Sequence, residues 1–243
     1  MKPYYKNEKA GVVLYHGDCL ELLNNVEADC VVTDPPYGIA LKSHGQHFYN
    51  SDVIKGDADS KSAETVYGIC DDRQWPVAMF FSPYRWFTNG WRSVLVWERG
   101  LHVGIGGDRE TCWKRDVEMI GVAFNKPLSG QRDSSILRFN ACLQYASEVH
   151  PAAKPISLME YLVSKLTAVG DLVCDPFAGV CSTGVACVRL GRHFTGIEIE
   201  EKYCEISAKR LDKEIKNWTG GLLGNRLPIT KRTGSLLPNQ GGK

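Results

Sequence analysis

Residues 170–183, Gly170-Asp171-Leu172-Val173-Cys174-Asp175-Pro176-Phe177-Ala178-Gly179-Val180-Cys181-Ser182-Thr183, read as a strand, a tight turn and the start of a helix. Leu172 to Cys174 form a short apolar run. Pro176 cannot donate to a strand ladder, so the strand stops at Asp175. A helix over Ser182–Leu190 follows, then a strand over Phe194–Glu198 and a helix over Glu201–Asn217. Upstream, Pro155 to Thr167 carries apolar residues at helical spacing (Ile156, Leu158, Met159, Leu162, Val163, Leu166). Earlier still, strands are expected at 12–15, 31–33, 77–81, 93–97 and 116–124. Short helices are expected at 20–23, near 60–67, and at 84–89. Strands that alternate with helices, several of them continuously apolar, predict an α/β fold with a largely parallel sheet covered on both faces. Ligands of such sheets bind beyond the carboxyl ends of the strands.

Bulk properties narrow the class. The 243 residues suit one domain, and 43% hydrophobic with 23% charged residues is ordinary for a globular protein. No apolar run is long enough to span a bilayer, and the start Met1-Lys2-Pro3-Tyr4-Tyr5-Lys6 lacks a secretion signal, so no membrane partner and a cytoplasmic location are expected. The formal charge of +1 provides no basic excess. Nucleic-acid binding would have to rest on local groups such as Arg109 with Lys114 and Arg115, or Lys126 with Arg132 and Arg138. Nine cysteines without a Cys-x-x-Cys pair argue for reduced, buried thiols rather than a metal or disulfide framework. Gly104-Ile105-Gly106-Gly107 has the wrong spacing for a phosphate loop and reads as a turn.

Two strand ends carry chemistry. The first is Asp34-Pro35-Pro36-Tyr37, where two prolines end the 31–33 strand. An exocyclic amine on a nucleobase is a poor nucleophile because its lone pair is delocalised into the ring. Two acceptors for its hydrogens favour a pyramidal nitrogen. The Asp34 carboxylate can be one, and the Pro35 carbonyl, held by the rigid turn, the other. Tyr37 offers a flat face to an unstacked base. A plain rigid turn is the alternative for this tetrapeptide alone. The second is the Asp175 turn. Asp175 can accept from a ligand ammonium, Gly179 leaves room for close approach, and the amides near Ser182 and Thr183 suit a carboxylate. Glu198 ends the next strand, where an acid commonly holds ribose hydroxyls. Amine, carboxylate and ribose together describe S-adenosylmethionine.

In order along the chain, Gly17-Asp18-Cys19, Thr33-Asp34-Pro35-Pro36-Tyr37-Gly38, His150-Pro151 with Lys154-Pro155, Asp175-Pro176-Phe177-Ala178-Gly179 and Gly196-Ile197-Glu198 with Tyr203 resemble the DNA amino-methyltransferases. The resemblance is to the permuted, beta-class order, with Asp-Pro-Pro-Tyr before the cofactor half, and covers most of 11–211. It implies a Rossmann-like seven-stranded sheet with one antiparallel strand, and the Asp34 and Asp175 strands side by side. It also implies S-adenosylmethionine as cofactor, with Asp175, Phe177, Ala178 and Gly179 around its methionine part and Glu198 on its ribose. Asp18, with Cys19 beside it, would contact its adenine. Lys154 would lie near the cofactor, unless it only starts a helix.

The resemblance has two departures. The family turn reads Asp-Pro-Phe-x-Gly-Ser-Gly-Thr-Thr, but Val180 and Cys181 stand where it has Ser-Gly. If that glycine needs positive φ, Cys181 strains the turn by about 1–2 kcal/mol, which could weaken cofactor binding about tenfold. There is also no large separate target-recognition domain. The long 38–74 connection, polar and aromatic in composition, and the 100–148 region are therefore the candidate DNA-contacting segments of a single 1–217 domain. Simple disorder is the competing reading for 38–74, and the 218–243 tail is expected to be disordered. The expected activity is methylation of adenine N6 in double-stranded DNA, on a flipped-out base. Alternatives are cytosine N4 in DNA, adenine in RNA, or a catalytically impaired DNA-binding relative. Asp rather than Ser at 34 leans towards adenine. By association, the chain resembles small methylases of restriction–modification systems or bacteriophages.

Overall fold

The computed structural model describes residues 2–37, 61–83, 90–100, 116–141 and 153–220. The first half contains β1 (Tyr5–Asn7), β2 (Val12–His16), α1 (Cys19–Leu22) with a 3-10 turn (Leu23–Asn25), β3 (Cys30–Thr33) and α2 (Lys61–Asp72). Next come β4 (Val77–Phe81), β5 (Ser93–Glu98), β6 (Val117–Ala123) and β7 (Ile136–Arg138). The last part holds α3 (Ile156–Leu166), β8 (Leu172–Asp175), α4 (Ser182–Leu190), β9 (His193–Glu198) and α5 (Glu201–Gly220).

The strands form one nine-stranded sheet in the order β1-β2-β9-β8-β3-β4-β6-β5-β7. Its middle seven strands are the set expected, with β6 antiparallel to both neighbours. The count of seven with one antiparallel strand is nevertheless corrected. β1 adds a second antiparallel strand against β2, and β7 pairs parallel to β5. Each added strand is three residues long, too short for a period-2 pattern to register in the sequence.

The continuously apolar strands are buried on both faces because helices cover both. On one side α3, α4 and α5 deliver Leu158, Leu162, Val185, Val188 and Leu211 onto Val12, Leu14, Val32, Phe80 and Phe194. On the other, α1 and α2 deliver Leu22, Ala63 and Val66 onto Val13, Val31, Met79 and Ile197. Burial of this kind contributes about 25 cal/mol per Å² of apolar surface. α4 ends where Gly191 adopts φ +69, a left-handed cap that glycine accepts without strain.

Some boundaries differ from the sequence reading. α2 continues to Asp72, because Cys70 extends its buried face beyond Ala63, Val66 and Tyr67. α5 runs past Asn217, and Trp218 packs on the core instead of opening a tail. The helix read at 84–89, the turn at 104–107, His150-Pro151 and the group Arg109, Lys114 and Arg115 lie outside the described residues. So do residues 38–60, residues 101–115 and 142–148 of the proposed 100–148 segment, and 221–243. All seven described cysteines are free and buried. No described helix is long and apolar enough to cross a membrane, and no described cluster of His, Cys, Asp or Glu is arranged for a metal.

Candidate active site

Parallel pairing sets four acids in a row at one edge of the sheet. His16 pairs with Glu198, Asp175 with Gly196, and Val31 with Cys174, so β2, β9, β8 and β3 end together. Asp18, Glu198, Asp175 and Asp34 sit on or just beyond those ends. The two central strands are also tied by side chains: Thr33 Oγ1 donates to Asp175 Oδ1 at 2.7 Å.

Asp175 is 3% exposed and held from three sides. Besides Thr33, it accepts from Thr183 Oγ1 at 2.6 Å and from the Phe177 amide at 3.2 Å. Burial outweighs these donors and pushes its carboxyl up to about 6. The turn is braced from behind by α5, where Ser207 donates to the Gly179 carbonyl at 2.8 Å. In front, Glu198 accepts from the Gly179 amide at 2.7 Å and from the Glu200 amide at 2.8 Å. Burial raises the Glu198 carboxyl despite these backbone donors. Asp175 Oδ2 and both Glu198 oxygens each retain a further lone-pair direction for a ligand donor. Ser182 and Thr183 open α4, whose first-turn amides have no acceptor within the helix. Asp18 caps α1 through Leu20 N at 2.8 Å and stays half-buried, while Cys19 is buried. Two ligand-accessible acids, a carboxylate-accepting helix start and a glycine turn fit an amino acid joined to a ribose.

Cys181 has φ +57 and ψ +44, the left-handed region expected for the glycine it replaces. Its thiol is fully buried in the core, which offsets part of the strain. The strain exists before any ligand arrives, so it lowers folding stability rather than cofactor affinity. Cys181→Val should show this, since a β-branched residue tolerates this region poorly. Its melting temperature is expected to fall by at least about 5 °C. Calorimetry showing an unchanged midpoint would contradict the strained turn. Cys181→Gly should leave cofactor affinity within about threefold, because it alters a cost common to the free and bound states.

Asp34 lies in a second buried cluster. Its Oδ2 is ion-paired with Lys154 Nζ, and its Oδ1 lies 2.7 Å from the Tyr37 hydroxyl. Lys154 also reaches Glu118 Oε2 at 3.3 Å, and the Tyr37 hydroxyl lies 3.1 Å from that same oxygen. Arg99 approaches Glu118 Oε1 at 3.3 Å. Two cations thus balance two carboxylates. Burial raises the Asp34 carboxyl, and the Lys154 ammonium only partly offsets this. Glu118 is also penalised by burial, but Lys154 and Arg99 together hold its carboxyl below the usual range. Lys154 is 7% exposed and stays charged because both acids outweigh its desolvation.

The structure therefore unites the residues that the sequence singled out as two neighbouring groups: Asp34, Pro35, Pro36 and Tyr37 on one side, and Asp175, Phe177, Ala178, Gly179, Ser182, Thr183, Glu198 and Asp18 on the other. Lys154 joins the Asp34 group. Tyr37 engages through its hydroxyl as well as presenting a ring. Thr33, Arg99, Glu118 and Ser207 were missed. Thr33 stands inside the Thr33–Gly38 motif but has no role assigned from sequence; no motif marks the other three, and a glutamate at position 118, inside an otherwise apolar strand run from Val117 to Ala123, is the one available signal.

Comparison with known proteins agrees with this geometry. The family model described as DNA methylase, for N6 and N4 amino-methyltransferases, matches residues 47–209. The chain belongs to this family of S-adenosylmethionine-dependent DNA methyltransferases. It is 26% identical over 250 residues to the type II methyltransferase M2.MboI of Moraxella bovis, covering 86% of this chain and 91% of that protein. M2.LlaDCHI of Lactococcus lactis subsp. cremoris is 25% identical over 264 residues, covering 87% and 93%. Among solved structures, the cytosine-N4-specific PvuII DNA methyltransferase superposes with TM-score 0.64 at 16% identity, covering 90% of this chain and 96% of that one. M1.HpyAVI in complex with S-adenosylmethionine superposes with TM-score 0.59 at 23% identity, covering 83% and 99%. At those identities the two structures support the fold.

Proposed function

We propose that this chain, acting as one domain over 1–217, methylates adenine N6 of a flipped-out base in double-stranded DNA. The observation that carries the reading is the adjacency of Asp34 and Asp175 across β3 and β8, tied by the 2.7 Å Thr33–Asp175 hydrogen bond. It sets an amine acceptor beside a site for the methyl donor. S-adenosylmethionine supplies an activated methyl on a sulfonium. Asp175 would hold its ammonium, the start of α4 its carboxylate, Glu198 its ribose and Asp18 its adenine. Asp34 and the Pro35 carbonyl accept the two hydrogens of the target amine and turn its lone pair towards the donor. Positioning and electrostatics carry the rate, since the methyl is already activated. Transfer would break the sulfur–methyl bond, with S-adenosylhomocysteine as the leaving group, and the methylated nitrogen would then lose a proton that Asp34, whose carboxyl burial raises, is placed to take.

Purified protein incubated with labelled S-adenosylmethionine and unmethylated genomic DNA tests the proposal. Label recovered as N6-methyladenine supports it. Label in N4-methylcytosine would move the target to cytosine, and label in RNA alone would exclude DNA as the substrate. Intact DNA binding without transfer at high cofactor concentration would mark an impaired relative.

A further inference from the structure

Lys154 creates a problem for the Asp34 acceptor. Asp34 has one oxygen ion-paired with the Lys154 ammonium and the other 2.7 Å from the Tyr37 hydroxyl. An incoming amine needs an oxygen from this same carboxylate. An amine seated on Oδ2 competes there with the buried Lys154 ammonium, and a buried cation that loses its counter-ion is strongly disfavoured. A second carboxylate stands ready. Glu118 on β6 lies 3.3 Å from the Lys154 nitrogen, so a shift of a flexible side chain converts a shared ion pair into an exclusive one. Arg99, 3.3 Å from the other Glu118 oxygen, and the Tyr37 hydroxyl keep that carboxylate charged and oriented. The rings of Phe80 and Tyr37, 5.0 and 5.7 Å from the ammonium, line its surroundings.

We propose that Glu118 is a positioning residue that takes over the Lys154 ammonium when the target amine occupies Asp34, so that the site is closed by a Lys154–Asp34 pair and opened by transfer to Glu118. The inference rests on the reading of Asp34 as the amine acceptor. It assigns Glu118 no contact with substrate. Its effect falls on the step after DNA is bound, when the base enters, and so on the transfer rate rather than on affinity for cofactor or DNA.

The test is a double-mutant comparison with enzyme in excess over unmethylated genomic DNA and saturating labelled S-adenosylmethionine. Glu118→Gln is expected to slow methyl incorporation at least tenfold, with cofactor and DNA affinities unchanged. Adding Lys154→Gln removes the cation that needs a partner. The double variant should then be at least fivefold faster than Glu118→Gln and within threefold of Lys154→Gln alone. A role for Glu118 that did not act through Lys154 would not be rescued by removing that lysine, and unchanged melting temperatures across the variants would separate the effect on rate from a loss of stability.

A Glu118→Gln rate within twofold of the unaltered protein, or a double variant no faster than Glu118→Gln, overturns the inference. Should Glu118→Gln not fold by circular dichroism, Lys154→Gln and the double variant decide between them. Rates within threefold support the transfer, and a tenfold loss on adding Glu118→Gln overturns it. An unaltered protein that methylates DNA while these comparisons fail leaves the proposed function standing. An unaltered protein that transfers no methyl to DNA overturns both.

Discussion

Asp34→Ala should reduce methyl transfer by at least about 10³-fold, comparable with removing a preorganised polar group from an active site, while cofactor affinity stays within about threefold. The separation of the two effects follows from which groups touch which carboxylate. Asp175 takes its hydrogen bonds from Thr33, Thr183 and the Phe177 amide, none of which involves Asp34. The cofactor half therefore survives the change. Lys154 loses one partner but retains Glu118 at 3.3 Å, so no buried ammonium is left alone. Asp34→Asn separates charge from size: the amide keeps one acceptor but presents a donor to an amine that needs acceptance, and transfer should remain severely impaired. Label incorporation measures the first quantity and titration calorimetry with S-adenosylmethionine the second. An Asp34→Ala protein with near-normal transfer would remove this carboxylate from the mechanism.

Asp175→Ala should act in the opposite sense, weakening S-adenosylmethionine at least about 100-fold, as expected when a buried charge-assisted partner is lost. The unaltered protein carries a pH signature of the same group. Burial lifts the Asp175 carboxyl to about 6 in the folded, ligand-free protein, above its ordinary 3.8. A raised carboxyl favours the folded state below its unfolded value. That contribution is lost as pH rises through about 6, so Asp175 makes the free protein less stable at neutral pH than in mild acid. An ammonium ligand reverses the preference because it needs the ionised form. Cofactor affinity should thus rise with pH through about 6 and be about tenfold weaker at pH 5 than at pH 7. Asp175→Asn should bind weakly with no such slope. Calorimetry between pH 5 and 8 checks both, and a flat profile for the unaltered protein would remove the ammonium contact from Asp175.

The local readings that held share a property: their signal lies within a few consecutive residues. Val12–Tyr15, Cys30–Thr33, Val77–Phe81 and Leu172–Cys174 are apolar runs bounded by glycine, proline or charge, and each is a buried strand. Asp175-Pro176 and Asp34-Pro35 end their strands because proline lacks the donor needed to continue a ladder. The suspicion at Cys181 was also local, because a missing glycine in a tight turn points to positive φ, and the residue does adopt it. Its consequence could not be read locally. The burial of the thiol under α5, and the presence of the strain before ligand binds, come from packing.

Sequence alone determined the alternation of strands and helices and the two strand-ending motifs, because hydrophobic period and proline geometry act over short distances. Tertiary structure decided what those motifs face. Strand order placed Asp34 beside Asp175 although 140 residues lie between them in the chain. It also brought Lys154, from a helix start, between Asp34 and Glu118 of β6, and set Arg99, just past β5, against Glu118. Charges in water interact weakly and carry no sequence signature. Held within ion-pair distance of one another in this partly buried cluster, they interact more strongly than they would in water.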